Sequence, residues 1–383
     1  MSVCAQALCM AFTMNETGYG PDRLKRICGE FDVNSVETVQ PFGSGHINNT
    51  FRVKCAGESR EYILQQINHN VFKKPFEVME NIIMVTDHLR KKFDAMGQDT
   101  DRKCLKLFLT KTGAPCYVDH DGTYWRMTLN IQQVYAVDRV DDPMQMYYAG
   151  KAFGEFVNML SDFDASKLHE TIVDFHNTPK RLAGFLQTLE NDAYNRCAQV
   201  KAEIDFILAR QEDCSLLFDM HKAGELPLRA THNDTKINNV LFDMETSQDV
   251  CVIDLDTLMP GILAYDFGDS MRSGANTADE DEPDTSKVKF DVERFKYYTK
   301  GYLETNSNIT QNERDVLAFS AKLLCLEQGI RFLDDYLNND TYYKISRPGQ
   351  NLDRARTQLK LVSDIEENMA KMQEIVRNER GKA

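Results

Sequence analysis

The run Thr231-His232-Asn233-Asp234-Thr235-Lys236-Ile237-Asn238-Asn239 gathers residue types that phosphoryl transfer uses, and an apolar stretch reaching Asp254 follows it. Asp234 can orient or deprotonate a hydroxyl. Asn239, five positions on, and Asp254 can hold Mg²⁺ against nucleotide phosphates. Phosphoryl transfer asks little covalent chemistry of a protein; it needs a positioned acceptor and neutralised phosphates. His-Asn-Asp alone is a weak signal, because a loop capping a helix has the same composition. Asn239 and Asp254, in that order, turn the reading toward a kinase-type loop. His232 reads as a brace for this loop, not as its base. Lys236 would put a cation where negative charge gathers during transfer. An exposed loop lysine is the plain alternative.

Asp254 and Asp256 stand two apart on what reads as a short strand, so their side chains would share a face and repel unless a cation lies between them. That spacing favours Mg²⁺, with Asp254 the first choice as ligand and Asp256 a second ligand, a substrate contact or a structural acceptor. Asp266 and Asp269 follow in Ala-Tyr-Asp-Phe-Gly-Asp-Ser. Asp266 reads as a brace of the catalytic loop, since a loop Asp commonly caps backbone N–H groups. Upstream, Gly43, Ser44, Gly45, His46, Ile47 and Asn48 form a Gly-containing loop between two apolar runs. Its backbone can approach phosphates, though a hairpin turn has the same composition. Arg331 lies near the apolar side of a helix, where it would pair with Asp334 or Glu327, or reach a substrate hydroxyl from a cleft wall.

These residues need elements to position them. Strands are predicted at Val36 to Phe42, Phe51 to Cys55 and Tyr62 to Ile67, with a hairpin from Pro115 to Ile131 turning at Asp121-Gly122. Val78, Ile82, Val85 and Leu89 lie on one face of a helix over Pro75 to Lys92. After about Tyr135 the periodicity is helical. Asp142-Pro143 opens one helix, Leu182 to Leu208 reads as one long amphipathic run, and Thr310 with Glu313 caps a helix running through Leu337. Short strands at Val240 to Phe242 and Cys251 to Leu255 flank the chemistry. Residues 279–287 read as a mobile loop, and Leu352 to Asn378 as a last helix. The division expected is a disordered extension over 1–14, a strand-rich lobe over 15–134 and a helical lobe over 135–383. The fold class is α+β, a small antiparallel lobe beside a mostly helical one.

The net charge of −14 argues against nucleic acid or an anionic membrane as the main partner. A nucleotide remains compatible where Mg²⁺ and local cations screen its phosphates. The ten cysteines are scattered with no C-x-x-C pair, so they read as reduced, mostly buried thiols of a cytoplasmic protein. Trp125, the single tryptophan, lies in the hairpin, where core packing suits it. The N-terminus lacks the basic region of a signal peptide, and Met10 and Met14 are alternative starts.

From Phe42 to about Leu337 the sequence resembles the aminoglycoside phosphotransferase and choline kinase family, whose fold is a divergent protein kinase. The strings H-N-D-T-K-I-N-N, G-S-G-H-I-N-N-T-F and V-I-D-L-D-T-L-M-P-G-I-L-A-Y-D-F-G-D-S-M-R-S-G-A-N-T-A are similar to those of N-acetylhexosamine 1-kinases. The resemblance implies ATP as phosphoryl donor, Mg²⁺, and the anomeric hydroxyl of N-acetylglucosamine or N-acetylgalactosamine as acceptor. It makes Asp234 the base, Asn239 and Asp254 the metal ligands, and Arg331 and Tyr342 contacts to the sugar, with Thr235 and Asp256 counted beside them. Two departures stand out. Relatives carry Lys or Arg on the third strand to hold phosphates, and here that place is taken by Gln65. Ser273 stands where an aromatic would suit stacking on a sugar. Choline, homoserine and an aminoglycoside are the alternative acceptors. A binding protein that has lost catalysis is a further class, against which the intact Asp234, Asn239 and Asp254 speak. The sequence leaves oligomeric state open.

Overall fold

The computed structural model describes residues 19–43 and 48–379. It divides into two compact units, residues 1–79 with 106–132 and residues 80–105 with 133–383. The expected extension over 1–14 and the loop residues Ser44, Gly45, His46 and Ile47 lie outside the described residues.

The first unit holds α1 (Pro21–Cys28), β1 (Val36–Pro41), β2 (Asn49–Cys55), β3 (Glu61–Ile67), the start of α2 (Pro75–Ala95), β4 (Leu107–Phe108), β5 (Tyr117–Val118) and β6 (Tyr124–Leu129). The strands form one antiparallel sheet ordered β1-β2-β3-β6-β4, with β5 on β6. Register explains its core. Phe51 lies opposite Leu64, and Leu64 opposite Met127. This face, with Val53, Tyr62 and Trp125, packs on Leu24, Ile27 and Cys28 of α1. Trp125 is fully buried among Tyr19 and Phe51, and its indole N–H donates to Thr123 Oγ1 at 2.9 Å. Truncating such an aromatic costs about 3–5 kcal/mol. Gly122 takes a positive φ of 79° at the hairpin turn, which glycine adopts without strain. Arg23 and Arg26 of α1 tie the helix to Asp119 beside this turn.

The second unit begins within α2 and adds α3 (Thr100–Lys103), β7 (Val134–Tyr135), α4 (Pro143–Met159), α5 (Thr178–Asn191), α6 (Lys201–Leu208) and α7 (Leu216–Lys222). There follow β8 (Leu228–Thr231), β9 (Val240–Asp243), β10 (Asp249–Val252), β11 (Met259–Ile262) and α8 (Leu263–Gly274). α9 (Val292–Thr305), α10 (Gln311–Asp315), α11 (Leu317–Leu337) and α12 (Gln350–Asn378) complete it. Two small antiparallel sheets, β10-β9-β7 and β11-β8, flank the loop that carries Asp234. Asp142 caps α4 through the Met144 N–H, with Gln145 closing the capping box and Pro143 in the first turn. Glycines let α4 and α9 approach backbone to backbone. A Cβ on Gly301 would lie 2.0 Å from the Tyr147 carbonyl oxygen, and one on Gly150 2.2 Å from that of Tyr298.

Several expectations are corrected. Residues 80–105 group with the helical unit. Asn81 bonds the carbonyls of His169 and Leu258, and Arg102 pairs with Asp243. The run from Leu182 to Leu208 is two helices, because Asp192 and Asn195 take positive φ of 34° and 54°. The helix expected from Thr310 to Leu337 breaks at Val316, although the Thr310–Glu313 capping box forms. Residues 279–287 are pinned, not loose. Glu280 pairs with Arg272, Asp281 accepts from Gln350, and Lys287 pairs with Glu282. The strand expected to reach Leu255 ends at Val252. The eight described cysteines are free thiols, buried except Cys197. No helix among the described residues is long and apolar enough to cross a membrane.

Candidate active site

The loop between β8 and β9 is folded by side chains that consume its backbone donors. Asp266, early in α8, accepts from the His232 N–H at 2.8 Å through Oδ2 and the Asn233 N–H at 2.7 Å through Oδ1. One helical turn on, Asp269 accepts from the Thr235 N–H at 3.0 Å. Ser270 donates to the Thr235 carbonyl at 2.8 Å and is itself bonded by Tyr298 of α9 at 2.7 Å. His232 takes the Asp234 N–H on Nδ1 at 3.3 Å and reaches the Ile253 carbonyl from Nε2 at 2.9 Å. Both ring nitrogens are thus engaged in holding the loop. Asn233 takes a positive φ of 64°, tolerated because its side chain bonds the carbonyls of Thr231 and Thr257.

This scaffold presents Asp234, Lys236 and Asn239 together. The Lys236 ammonium lies 2.9 Å from Asp234 Oδ1. The Asn239 amide donates to the Asp234 carbonyl at 2.8 Å and approaches Oδ2 at 3.4 Å. Burial pushes the Asp234 carboxyl up, but Lys236, with His232 and Arg272 adding to it, outweighs burial and holds the carboxyl below its ordinary range. The same attraction holds the Lys236 ammonium above its ordinary value. Burial works against the charge on Arg272, and Asp269 and Glu280 more than offset it.

Asp254 and Asp256 do not share a strand face. Asp254 takes φ 60° and ψ 59° just past the strand and is exposed, whereas Asp256 lies in the following 3₁₀ turn and is 3% exposed. The Ile253 N–H bonds the Asn239 carbonyl at 2.9 Å, so Asp254 leaves the chain beside Asn239. Turning its amide nitrogen to Asp234 directs the Asn239 oxygen the other way. An amide oxygen and an exposed carboxylate are hard donors that suit Mg²⁺.

Thr235 is fully buried, and its hydroxyl donates to the Asp266 carbonyl at 2.5 Å. Thr235 is thus bonded within the loop scaffold, and Asp256 is buried in the turn after Asp254. Arg331 lies between the rings of Phe175 and Tyr343, 5.6 Å from each centroid, and donates to Gln328, not to Asp334. Burial works against its charge, and Tyr343, Glu327 and Tyr342 offset it. Arg331 and Tyr342 line a cavity of about 400 Å³ with Arg181, Tyr194, Asp334 and Tyr343. Ser273 bonds the carbonyls of Asp269 and Ser270 in α8. In the strand unit, Gly43 has φ 80°, and Asn48 Oδ1 accepts from the Asn68 N–H. Gln65 bonds Thr50 and Arg126.

Sequence reasoning missed the buried pair of His176 and Glu327, 2.8 Å apart, with Thr178 bonding the second oxygen of Glu327. His176 Nε2 also meets the Asn233 carbonyl at 3.3 Å, which joins the Arg331 wall to the Asp234 loop. Burial works against the charged His176, and Glu327 overrides it, raising the imidazole above its ordinary value. The partners are 151 residues apart, so no local spacing reveals them. Asp269 and Arg272 were legible as an i, i+3 pair on a helix.

Residues 160–298 match the phosphotransferase enzyme family (APH). The fold is similar to that of an aminoglycoside phosphotransferase from Alicyclobacillus acidocaldarius, with a TM-score of 0.61 at 14% identity over 92% of this chain and 96% of that one. It is similar to a spectinomycin phosphotransferase solved with ADP and spectinomycin, TM-score 0.59 at 11% identity over 91% and 99%. An ethanolamine kinase from Plasmodium vivax gives 0.52 at 15% identity over 85% and 82%. The chain thus has a protein-kinase-like architecture, and its residues 160–298 match the phosphotransferase enzyme family.

Proposed function

We propose that the chain transfers the γ-phosphoryl group of ATP to a hydroxyl of a small neutral sugar, the anomeric hydroxyl of an N-acetylhexosamine being the acceptor of choice. The observation that carries the phosphoryl-transfer reading is Asp234, fixed by the Asp266-braced loop with Lys236 at 2.9 Å and Asn239 at 2.8 Å. ADP bound with spectinomycin in a solved structure of similar fold supports a nucleotide donor.

Asp234 would accept a hydrogen bond from the acceptor hydroxyl and align its oxygen with the γ-phosphorus. As the new O–P bond forms and the bond to the β,γ-bridging oxygen breaks, ADP leaves and the hydroxyl proton passes to the Asp234 carboxylate. A carboxylate held below its ordinary range by Lys236 is a weak base in the resting site. A shift of Lys236 toward the transferring phosphoryl oxygens would answer their charge and raise Asp234 at the moment it must take a proton. Asn239 and Asp254 would hold Mg²⁺, which when bound neutralises the phosphate oxygens. An anomeric hydroxyl is more acidic than an ordinary alcohol, so one carboxylate suffices.

The cavity beside Arg331 supports a polyol acceptor. Its wall joins Arg181 and Arg331 with Asp334, Asp335, Asn338, Tyr194, Tyr342 and Tyr343. Donors and acceptors of both kinds bond sugar hydroxyls well.

The test is Mg²⁺-dependent ATP consumption over N-acetylglucosamine, N-acetylgalactosamine, glucose, galactose, choline, homoserine and kanamycin, with product analysis. An acid-labile sugar 1-phosphate is expected, and Asp234→Asn is expected to abolish most turnover while nucleotide binding persists. Turnover confined to choline, homoserine or kanamycin would sink the sugar assignment. Near-normal turnover in Asp234→Asn would remove Asp234 from its role.

A further inference from the structure

His176 stands just before α5 with both ring nitrogens engaged. Nδ1 lies 2.8 Å from Glu327 Oε1 of α11, and Nε2 lies 3.3 Å from the Asn233 carbonyl oxygen. A carboxylate and a carbonyl oxygen only accept hydrogen bonds. Glu327 is itself held as a carboxylate. Thr178 donates to its second oxygen, and His176, with Arg331 adding to it, outweighs burial and keeps the carboxyl below its ordinary range. A neutral imidazole has one N–H and one lone pair, so one of its nitrogens would meet an oxygen lone pair to lone pair. The imidazolium, with two N–H groups, satisfies both contacts. The side chains of His176 and Glu327 are 8% and 1% exposed, so water does not stand in for either partner.

The charges around the ring agree with this. From α11 it faces Glu327 and Arg331, and from α8 it faces Asp266 and Asp269. The Tyr265 ring lies 5.2 Å away and that of Phe175 4.6 Å away. Three carboxylates are thus set against one guanidinium. The two bonds are unequal. Nδ1–H is held by a carboxylate, in a bond roughly twice as strong as a neutral one, whereas Nε2–H meets a neutral carbonyl at the longer distance. A proton lost from the ring therefore leaves Nε2. The lone pair left there faces the Asn233 carbonyl oxygen, and the tie becomes a repulsion. Asn233 directly precedes Asp234.

We infer that His176, as an imidazolium, is a positioning residue for Asp234. It holds the Asn233 carbonyl to the wall that carries Glu327 and Arg331, and it lets that carbonyl go when the ring loses its proton. This rests on the phosphoryl-transfer reading proposed above, since Asp234 is the group it serves. An imidazole raised on folding keeps such a tie whole below its ordinary value near 6.5 and loses it as pH rises through the folded value. Turnover then carries an alkaline limb, whereas Asp234, held below its ordinary range, supplies an acidic one.

Two substitutions separate the bonds. The amide nitrogen of His176→Asn falls near the place of Nδ1 and keeps a donor for Glu327. That of His176→Gln falls near the place of Nε2 and keeps a donor for the Asn233 carbonyl. Kinetics use the full chain with ATP, Mg²⁺ and N-acetylglucosamine, or whichever acceptor of the panel above is turned over. His176→Asn is expected to lower kcat roughly 10–100-fold, as for a misplacement of about 1 Å, with the KM for ATP unchanged. His176→Gln is expected to stay within several-fold of the unaltered chain and to lose the alkaline limb, because an amide does not titrate. An unchanged kcat in His176→Asn overturns the inference. So do equal losses in both variants with the limb unmoved, which would make His176 a structural residue. Hydrogen exchange on the unaltered chain needs neither a folded variant nor turnover. With the intrinsic pH dependence of exchange removed, protection of peptides spanning 231–239 is expected to fall several-fold from about pH 6 to about pH 9 while that of α4 holds. Constant protection over 231–239 overturns the inference. An unaltered chain that phosphorylates no acceptor would instead overturn the function proposed above, and exchange would still decide whether His176 ties the loop.

Discussion

Replacing Asp266 by asparagine tests how the catalytic loop is held. The carboxylate gives one oxygen to the His232 N–H and the other to the Asn233 N–H, at 2.8 and 2.7 Å. Asp266, His232 and Asn233 are 2%, 0% and 4% exposed, so water cannot replace a lost acceptor. A carboxamide has one oxygen, and its NH₂ group would face the second N–H. Stranding a buried donor costs about 1–3 kcal/mol. The surviving bond falls from a charged to a neutral acceptor, about 1 kcal/mol more. Against this, burial pushes the Asp266 carboxyl up despite the pull of His232 and the two donors, so removing the charge returns part of the loss. The balance is a destabilisation of about 2 kcal/mol, a fall in Tm of roughly 4–8 °C. The assay is urea unfolding followed by circular dichroism at the helix band, which reports the helical unit. Fluorescence of Trp125 reports the strand unit separately. Turnover should fall at least roughly tenfold, because a displaced Asp234 no longer meets the acceptor. A loss below about 0.5 kcal/mol with full turnover would refute the claim that these two bonds hold the loop.

Lys236→Met should move the acidic limb of the pH–rate profile to higher pH, because the attraction that holds Asp234 below its ordinary range is gone; an unmoved limb would show that Lys236 does not set it. His176→Ala should cost about 3 kcal/mol or more by leaving Glu327 buried without its cation, and urea unfolding would read the loss, with a cost near zero counting against the pair. Asp119→Asn bears on acid stability. Burial raises that carboxyl, while bonds from Arg26, the His120 N–H and Arg23 bring it down to about 2. A carboxyl lowered on folding adds stability that is whole above its ordinary value near 4 and is lost as pH falls through the folded value. Unfolding of the variant, read by Trp125 fluorescence, should therefore depend less on pH between about 4 and 2 than that of the unaltered chain; an unchanged slope would contradict this. Gly301→Ala should destabilise by about 1–3 kcal/mol, since its methyl meets a backbone oxygen at 2.0 Å, while Gly184→Ala, with nothing within 4 Å, should stabilise by about 0.5–1 kcal/mol. Melting temperatures that move in the same direction would contradict the packing account.

The sequence announced what depends on local order. Alternation marked β2, β3 and β6, the Asp142-Pro143 and Thr310–Glu313 caps formed where their spacing put them, and Asp234, Lys236 and Asn239 meet because they share one short loop. It misled where backbone geometry overrode pattern. Apolar periodicity runs unbroken through Asp192 and Asn195, yet two positive-φ residues split the helix there. The same holds at Asp254, whose left-handed turn cancels the two-residue strand rule and sends Asp256 inward. Partners remote in sequence left no trace. His176 meets Glu327, and Arg126 meets Gln65, only because helices and strands bring them together. An acidic run read as loose is tied down for the same reason, since Arg347 and Gln350 of the distant C-terminal region hold Asp281.

One carboxylate at the end of α11 separates two kinds of change. Asp335 takes the backbone N–H groups of Thr341 and Tyr342 on one oxygen and that of Tyr343 on the other, and Asn351 of α12 bonds it as well. The path of residues 341–343 is thus set by main-chain groups that every residue except proline possesses. Their side chains, which form part of the cavity wall, take no share in those bonds. Tyr342, 66% exposed, and Thr341 can therefore be exchanged while the frame stays put. The Asp234 loop hangs from α8 by a different set of carboxylates, Asp266 and Asp269. On the proposed reading, in which this cavity takes the acceptor, acceptor preference and chemical competence hang on different carboxylates, and three adjacent codons can rewrite the first without touching the second.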